Sequence, residues 1–339
     1  MGRSCDPLLG QIQHNGSHLM SVETSNKQAS LRTHGLLGRM SERINASWKV
    51  FVIAIPFVWL LFFFLAPFFI VAKISLAEMT ITSPPFTKMI EWADGTILTI
   101  RIVFDNFIYI FDDPLYANTY FNSLKIAAVS TVFCLLVGYP IAYGIVRSGP
   151  VTKQLLLFAV ILPFWTSFLL RVYAWMGLLA DQGTINSFLM SIGLIESPIR
   201  MLYSEFAVYV GIVYTYLPFM ILPLYAKMEK LDMALNEAAA DLGAGPIATF
   251  FQVTLPLTLP GIVAGSMLVF IPATGEYIIP DLLGGGNVQM IGHQLYNEFA
   301  RNVDWPVASS VAIVLLFCLV LPMAIYQHYQ GKATEERKS

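Results

Sequence analysis

The chain has 339 residues, of which 56% are apolar and only 12% charged, against roughly 25% charged residues in an average soluble domain. A water-facing surface cannot be built from that mixture. Twenty Lys and Arg against 22 Asp and Glu leave a net charge of -2, so no basic excess points to nucleic acid.

Residues 1–48 are mostly polar, show no sustained apolar period, and read as a disordered cytoplasmic tail. His14 and His18 in this tail read as solvated side chains more readily than as metal ligands. Cys5, Cys134 and Cys318 lie far apart, two of them inside apolar runs. This excludes a disulfide framework and a cysteine metal site and marks them as small apolar fillers.

A bilayer core about 30 Å thick needs about 20 apolar helical residues, because lipid offers the backbone no other hydrogen-bond partner. Runs that meet this requirement lie at about 50–72, 123–146, 155–179, 206–226, 260–281 and 307–328. The expectation is an all-α membrane protein with six helices in a transmembrane domain spanning 49–328. The first run is too far from the start, and too long, to be a cleaved signal peptide. Prolines such as Pro140, Pro163, Pro218 and Pro272 fall within or near the runs and bend the bundle.

With the amino terminus inside, thirteen basic residues flank the cytoplasmic side, from Arg3 to Lys338, and five lie outside: Lys73, Lys88, Arg101, Arg200 and Arg301. Lys125 and Arg171 fall within spans and are set aside. The positive-inside rule then places both termini in the cytoplasm, residues 329–339 forming a short second tail. Three segments face outward. The first, about 73–122, reads as a small folded cap whose alternating stretch from Thr96 to Phe104 suits a hairpin strand. The second covers about 180–205 and the third about 282–306. The third opens with Gly284-Gly285-Gly286, a turn and no phosphate cradle, since the G-x-x-x-x-G-K-[ST] pattern is missing.

The inside loop at 227–259 carries the most information. Asp232 suits a helix N-cap, Leu235, Ala238, Ala239 and Leu242 form the apolar side of that helix, and Gly243, Gly245 and Pro246 stop it. A second short helix starts at Pro246 and ends against Pro256. Glu237-Ala238-Ala239, Gly243 and Val253-Thr254-Leu255-Pro256 resemble the EAA loop of permease subunits of ATP-binding-cassette importers, with Val253 where the family has isoleucine. The resemblance implies a type I ABC importer transmembrane domain in the bacterial inner membrane, whose cytoplasmic coupling loop docks on an ATPase. The residues suit that role. Small alanines permit close approach, Gly243 permits a sharp turn, and Glu237 offers one charge to a basic partner. The competing reading is an ordinary amphipathic surface helix, which a lone E-A-A triplet would favour.

The likeness extends from about Lys49 to Tyr329. Leu162-Pro-Phe-Trp-Thr-Ser-Phe168, Arg171-Val-Tyr-Ala-Trp-Met-Gly177, Gly265-Ser-Met-Leu-Val-Phe-Ile-Pro272 and Asp304-Trp-Pro-Val-Ala-Ser309 resemble the first permease subunit of bacterial putrescine and spermidine importers. This implies a second homologous permease, two ATP-binding subunits and a periplasmic polyamine-binding protein as partners. It also implies that ATP and Mg belong to the ATPase, with no cofactor or catalytic residue in this chain.

A polyamine is a cation that seeks carboxylates and tolerates aromatic faces, at about 0.5–2 kcal/mol per cation–π contact. Glu276 and Asp281, expected in or at the outer end of the fifth span, are the candidate carboxylates. Trp165, Tyr173, Trp175, Tyr214, Tyr216 and Tyr277 are the candidate rings, each of which also suits an interfacial anchor. Arg171 would repel such cargo if left unpaired, so it is expected to be neutralised by Glu276 or another carboxylate, leaving Asp281 as the substrate contact. Two rival transport readings are an ABC permease for another small solute and an ion-coupled secondary transporter. The latter predicts internal repeats that are not evident. An intramembrane hydrolase lacks its H-E-x-x-H or G-x-S-x-G motif.

Overall fold

A computed structural model describes residues 51–88, 90–93, 97–232 and 234–336. The tail at 1–48, with His14, His18 and Cys5, lies outside the described residues. The chain divides into two compact units, Met1–Ile70 and Val71–Ser339. In the first, the described residues belong to α1, which runs Phe51–Ser75 and continues unbroken through Pro56 and Pro67.

The second unit begins with the end of α1, followed by a hairpin and a short helix. Strands β1 (Ile90–Ala93) and β2 (Ile97–Ile100) pair antiparallel, with Glu91 opposite Thr99. Helix α2 (Asp105–Asp112) follows. The Asn106 amide donates to the Ser75 and Ala77 carbonyls at 3.0 and 2.8 Å, tying α2 to the start of this unit.

Helix α3 (Pro114–Arg147) starts about nine residues before the apolar run. Its first turns are polar, but Asp113 accepts the Leu115 N–H at 2.8 Å and Pro114 sits at the first position, so the helix is well started. The third apolar run is not one helix. Helix α4 (Pro150–Ile161) passes through a 3-10 turn, Leu162–Trp165, then breaks at Thr166 and Ser167 before α5 (Phe168–Leu179) and α6 (Thr184–Ser191). The two halves meet at 93°. Pro163 weakens the ladder here, and Thr166 takes extended backbone with its hydroxyl donating to the Pro163 carbonyl at 2.8 Å.

Helix α7 (Glu205–Met228) is capped by Ser204, whose hydroxyl accepts the Ala207 N–H at 3.3 Å. After α8 (Ala234–Asp241), α9 (Pro246–Thr249), a π-turn (Phe250–Thr254) and α10 (Leu255–Thr274) form one continuous helix of 29 residues. Two expectations change. The second loop helix does not stop at Pro256, because the π-turn just before it absorbs the missing proline donor. The fifth run ends as a helix at Thr274 instead of 281, with Gly275 as its cap. A π-turn (Pro280–Gly284), α11 (Ile291–Tyr296), a further π-turn (Asn297–Arg301) and α12 (Trp305–Glu336) complete the chain. Gly285 and Gly286 take positive φ, the turn expected of the triple glycine.

Helices α3, α7 and α10 form the centre. Ile126, Ala127, Ile145, Val208, Ile212, Met220, Leu224, Val269 and Ala273 are all buried there. Gly265 permits this packing, since a Cβ on it would lie 2.8 Å from Met220 Sδ and 3.1 Å from the Met220 carbonyl. Cys134 is a buried filler as expected, whereas Cys318 is exposed on α12. Four described helices are long and apolar enough to cross a bilayer, or five if the bent pair counts as one span; α12 adds the shorter apolar stretch Trp305–Leu321.

Candidate functional site

The candidate coupling residues lie in the loop between α7 and α10 and at its junction with α10, and the two candidate carboxylates lie in the connection from α10 to α11. In the loop, the Asp232 carboxylate accepts the Ala234 N–H at 3.0 Å and starts α8. At the other end, the Gly243 N–H donates to the Ala240 carbonyl at 2.9 Å and the Ala244 N–H to the Ala239 carbonyl at 3.0 Å. Gly243 sits at φ +86°, the left-handed helix end that glycine adopts without a Cβ clash. The Thr254 hydroxyl lies 3.3 Å from Asn236 Oδ1, and Thr254 is buried, which pins α8 against the π-turn.

That pin sets which side of α8 faces the protein. Asn236 and Ala239 are half-buried, while Glu237, Ala238 and Asp241 are exposed. The large residues of the loop's apolar side are open: Leu242 is 90% exposed and Leu235 47%, as is Ile247 of α9 at 74%. The Asn236 contact and the Gly243 turn fix the rotation of α8 and leave its larger apolar groups open, with two carboxylates beside them. Val253 and Leu255 are half-buried, Leu255 packing against the core, and Pro256 is exposed. Behind α8 lies a cavity of about 280 Å³ lined by Tyr143, Arg147, Asn236 and Phe250 among others, with the Arg147 guanidinium 4.5 Å above the Tyr143 ring.

The second place differs from expectation because α10 ends early. Glu276 and Asp281, expected in or at the outer end of the fifth span, lie past the end of α10. The Glu276 carboxylate accepts the Tyr216 hydroxyl at 2.6 Å and the Ile278 and Ile279 N–H groups at 3.1 and 3.4 Å. It acts as a cap, and its acceptor capacity is largely taken. The expected Arg171–Glu276 ion pair does not form. Arg171 instead lies 5.5 Å from the Phe164 ring and 5.8 Å from Phe168, and pairs with no carboxylate among the described residues. Asp281 Oδ1 stands 3.2 Å from His293 Nε2 and 3.9 Å from an Arg301 nitrogen.

The six rings do not converge. Tyr216 is with Glu276, while Tyr277 stacks on Tyr296 at 4.9 Å and 16°. Trp175 meets Tyr214 edge-on at 5.5 Å, and both line an apolar groove of about 660 Å³ with Phe133 and Tyr209. Trp165, beside the α4–α5 break, is 76% exposed, and Tyr173 on α5 is 55% exposed.

Sequence reading passed over His293, Tyr296 and Arg301, which complete the surroundings of Asp281 and Tyr277. It also missed buried Glu298, which accepts from Tyr116 at 2.9 Å and from Gln294 and Asn302 at 2.8 Å each. The signal was the spacing of four from Gln294 to Glu298 to Asn302, a helical period inside a segment read as a loop. Nearby, Asp304 accepts the Val307 N–H at 3.1 Å and starts α12. Burial raises the Asp304 carboxyl above its ordinary range; the N–H bond opposes the shift and the Glu298 charge adds to it.

No family model matches the chain. Among curated proteins it is 40% identical to the spermidine/putrescine transport system permease protein PotB of Haemophilus influenzae over 296 residues, covering 87% of this chain and 98% of that one. It is also 39% identical to PotB of Escherichia coli over 240 residues, covering 71% and 87% respectively. The chain belongs to the PotB permease family. A PotB-family chain is a multi-pass membrane transport component and not an enzyme. Its fold is shared with a bacterial ABC transporter involved in import of the acidic polysaccharide alginate, with a TM-score of 0.64 at 17% identity, over 87% of this chain and 99% of that one. The inner membrane ABC transporter permease protein YdcU of Escherichia coli is 32% identical, over 68% of this chain and 74% of its own length.

Proposed function

We propose that this chain is one permease of an ABC importer that carries putrescine or spermidine into the cytoplasm by alternating access. The observation that carries the coupling part is the open surface of the α8–α9 loop, with Leu242 and Ile247 exposed and Glu237 and Asp241 exposed on α8, which the left-handed Gly243 ends. An apolar patch flanked by carboxylates suits a partner groove with a basic rim. The ATPase pair supplies that groove and binds ATP with Mg. Its closure draws the two coupling loops together, and the bent helices convert this into opening of an outward cavity. A second homologous permease and a periplasmic polyamine-binding protein complete the assembly.

The bent α4–α5 segment and α12 serve as the third and sixth spans, α1 as the first, with both termini in the cytoplasm as the thirteen-to-five basic distribution favours. Polyamine cargo rests on the 40% identity to PotB across nearly all of that protein. Asp281, 40% exposed, is the carboxylate open to an ammonium, which would compete with Arg301 at 3.9 Å. Cells lacking this chain and any redundant importer should lose uptake of labelled putrescine, spermidine or both; normal uptake of both removes the polyamine reading. If another small solute is the cargo, the coupling loop keeps its role and only this uptake test changes.

A further inference from the structure

The α4–α5 break presents a set of groups that this chain does not complete. Arg171 leaves Nε and Nη1 buried with no hydrogen-bond partner among the described residues. The residue as a whole keeps part of its surface open. Phe164 and Phe168 offer only ring faces. A guanidinium cannot deprotonate to escape this cost, so within a transmembrane domain it needs an acceptor. Glu276, the carboxylate expected to neutralise it, is engaged with Tyr216 and two backbone N–H groups. Cationic cargo cannot serve as the acceptor.

The surroundings show what kind of group can. Trp165, Leu169, Leu170 and Tyr173 stand 76%, 46%, 64% and 55% exposed around the break. Large apolar and aromatic side chains around one unsatisfied cation suit a protein surface with an acidic residue at its centre.

We infer that the α4–α5 break is an interface for the companion permease, and that a carboxylate of that chain closes on Arg171. The inference rests on the two-permease reading above and adds to it a specific contact. The break bends the chain by 93° away from a straight span, with Arg171 lying against Phe164 on one side of it and Phe168 on the other. A partner carboxylate reaches the open edge of the guanidinium, and the surrounding rings exclude lipid and water from the pair. Removal of one member leaves the other buried and unpaired, so the single variants are more damaging than the reciprocal exchange.

The test uses the assembled importer with an affinity tag on the companion permease. Arg171→Gln should lower recovery of this chain with the tagged companion about tenfold while its amount in the membrane is unchanged; Arg171→Lys should lower it less. Arg171→Asp should be rescued by a lysine placed at one acidic position in the companion's membrane segments. Full recovery of the Arg171→Gln chain overturns the inference. So does recovery that is unchanged while phospholipid retention or uptake falls, which assigns the arginine to lipid or to the pathway. Loss of recovery on deleting residues 1–48 from the wild-type chain, with no effect of Arg171→Gln, also overturns it. A wild-type chain that recovers no companion overturns the two-permease reading itself.

Discussion

The loop between α7 and α10 and the connection from α10 to α11 both carry a carboxylate flagged by sequence, and they treat it in opposite ways. Glu237 stands exposed on a short helix whose apolar groups also face outward. Glu276 is enclosed by a tyrosine hydroxyl and two backbone N–H groups. The first arrangement leaves chemistry for another molecule to complete. The second completes itself, and its role is to hold the chain where α10 ends.

The sharpest way to break this contrast is at the exposed side. Glu237→Lys, or Leu242→Asp with Ile247→Asp, should abolish ATP-driven uptake while membrane amount stays at wild-type level, measured by labelled-polyamine uptake beside immunoblotting. Unchanged uptake places the loop outside the coupling path. On the enclosed side, change should read out as lost stability. Gly265→Val forces a side chain into Met220 at the α7–α10 crossing and should destabilise the purified protein by about 1–3 kcal/mol. Tyr216→Phe removes one donor from Glu276 and should cost about 1–2 kcal/mol, seen as lower thermal stability in detergent with uptake per folded molecule retained.

Much of the fold was legible in the sequence because apolar length is a strong signal in a membrane. Four of the six runs fall essentially within single helices, α1, α3, α7 and α12, and the hairpin strand lies within the alternating stretch before Phe104. What escaped was local backbone geometry. A hydrophobic run does not reveal that Thr166 and Ser167 turn the chain by 93°, or that α10 stops at Thr274. Both depend on how proline and glycine defects are satisfied by neighbours. The loop motif was legible by spacing, but the side it exposes was not, since that follows from the Asn236–Thr254 contact. The candidate rings were chosen by type alone, and the structure distributes them among four environments.

Two smaller effects sharpen the comparison. Asp281→Asn should raise the apparent KM for diamines several-fold with little change in protein amount, since Asp281 is the partly open carboxylate of its region; an unaffected KM places it away from the cargo. Asp304 should give the smallest effect. Its raised folded-state pKa means the folded protein holds a proton that the unfolded chain releases, so its contribution to stability is present at low pH and lost as pH rises from the ordinary value of 3.8 through the raised one. Asp304→Asn keeps the acceptor for the Val307 N–H and should flatten that part of the pH–stability curve.

The most direct measurement introduces a photoactivatable phenylalanine analogue in place of Leu242 in the assembled importer and identifies what it captures. Covalent capture of the ATPase subunit, strengthened or weakened by nucleotide, is the result expected of a loop built to be covered by a motor. Capture of lipid alone, or of nothing, in an importer that still transports would contradict it.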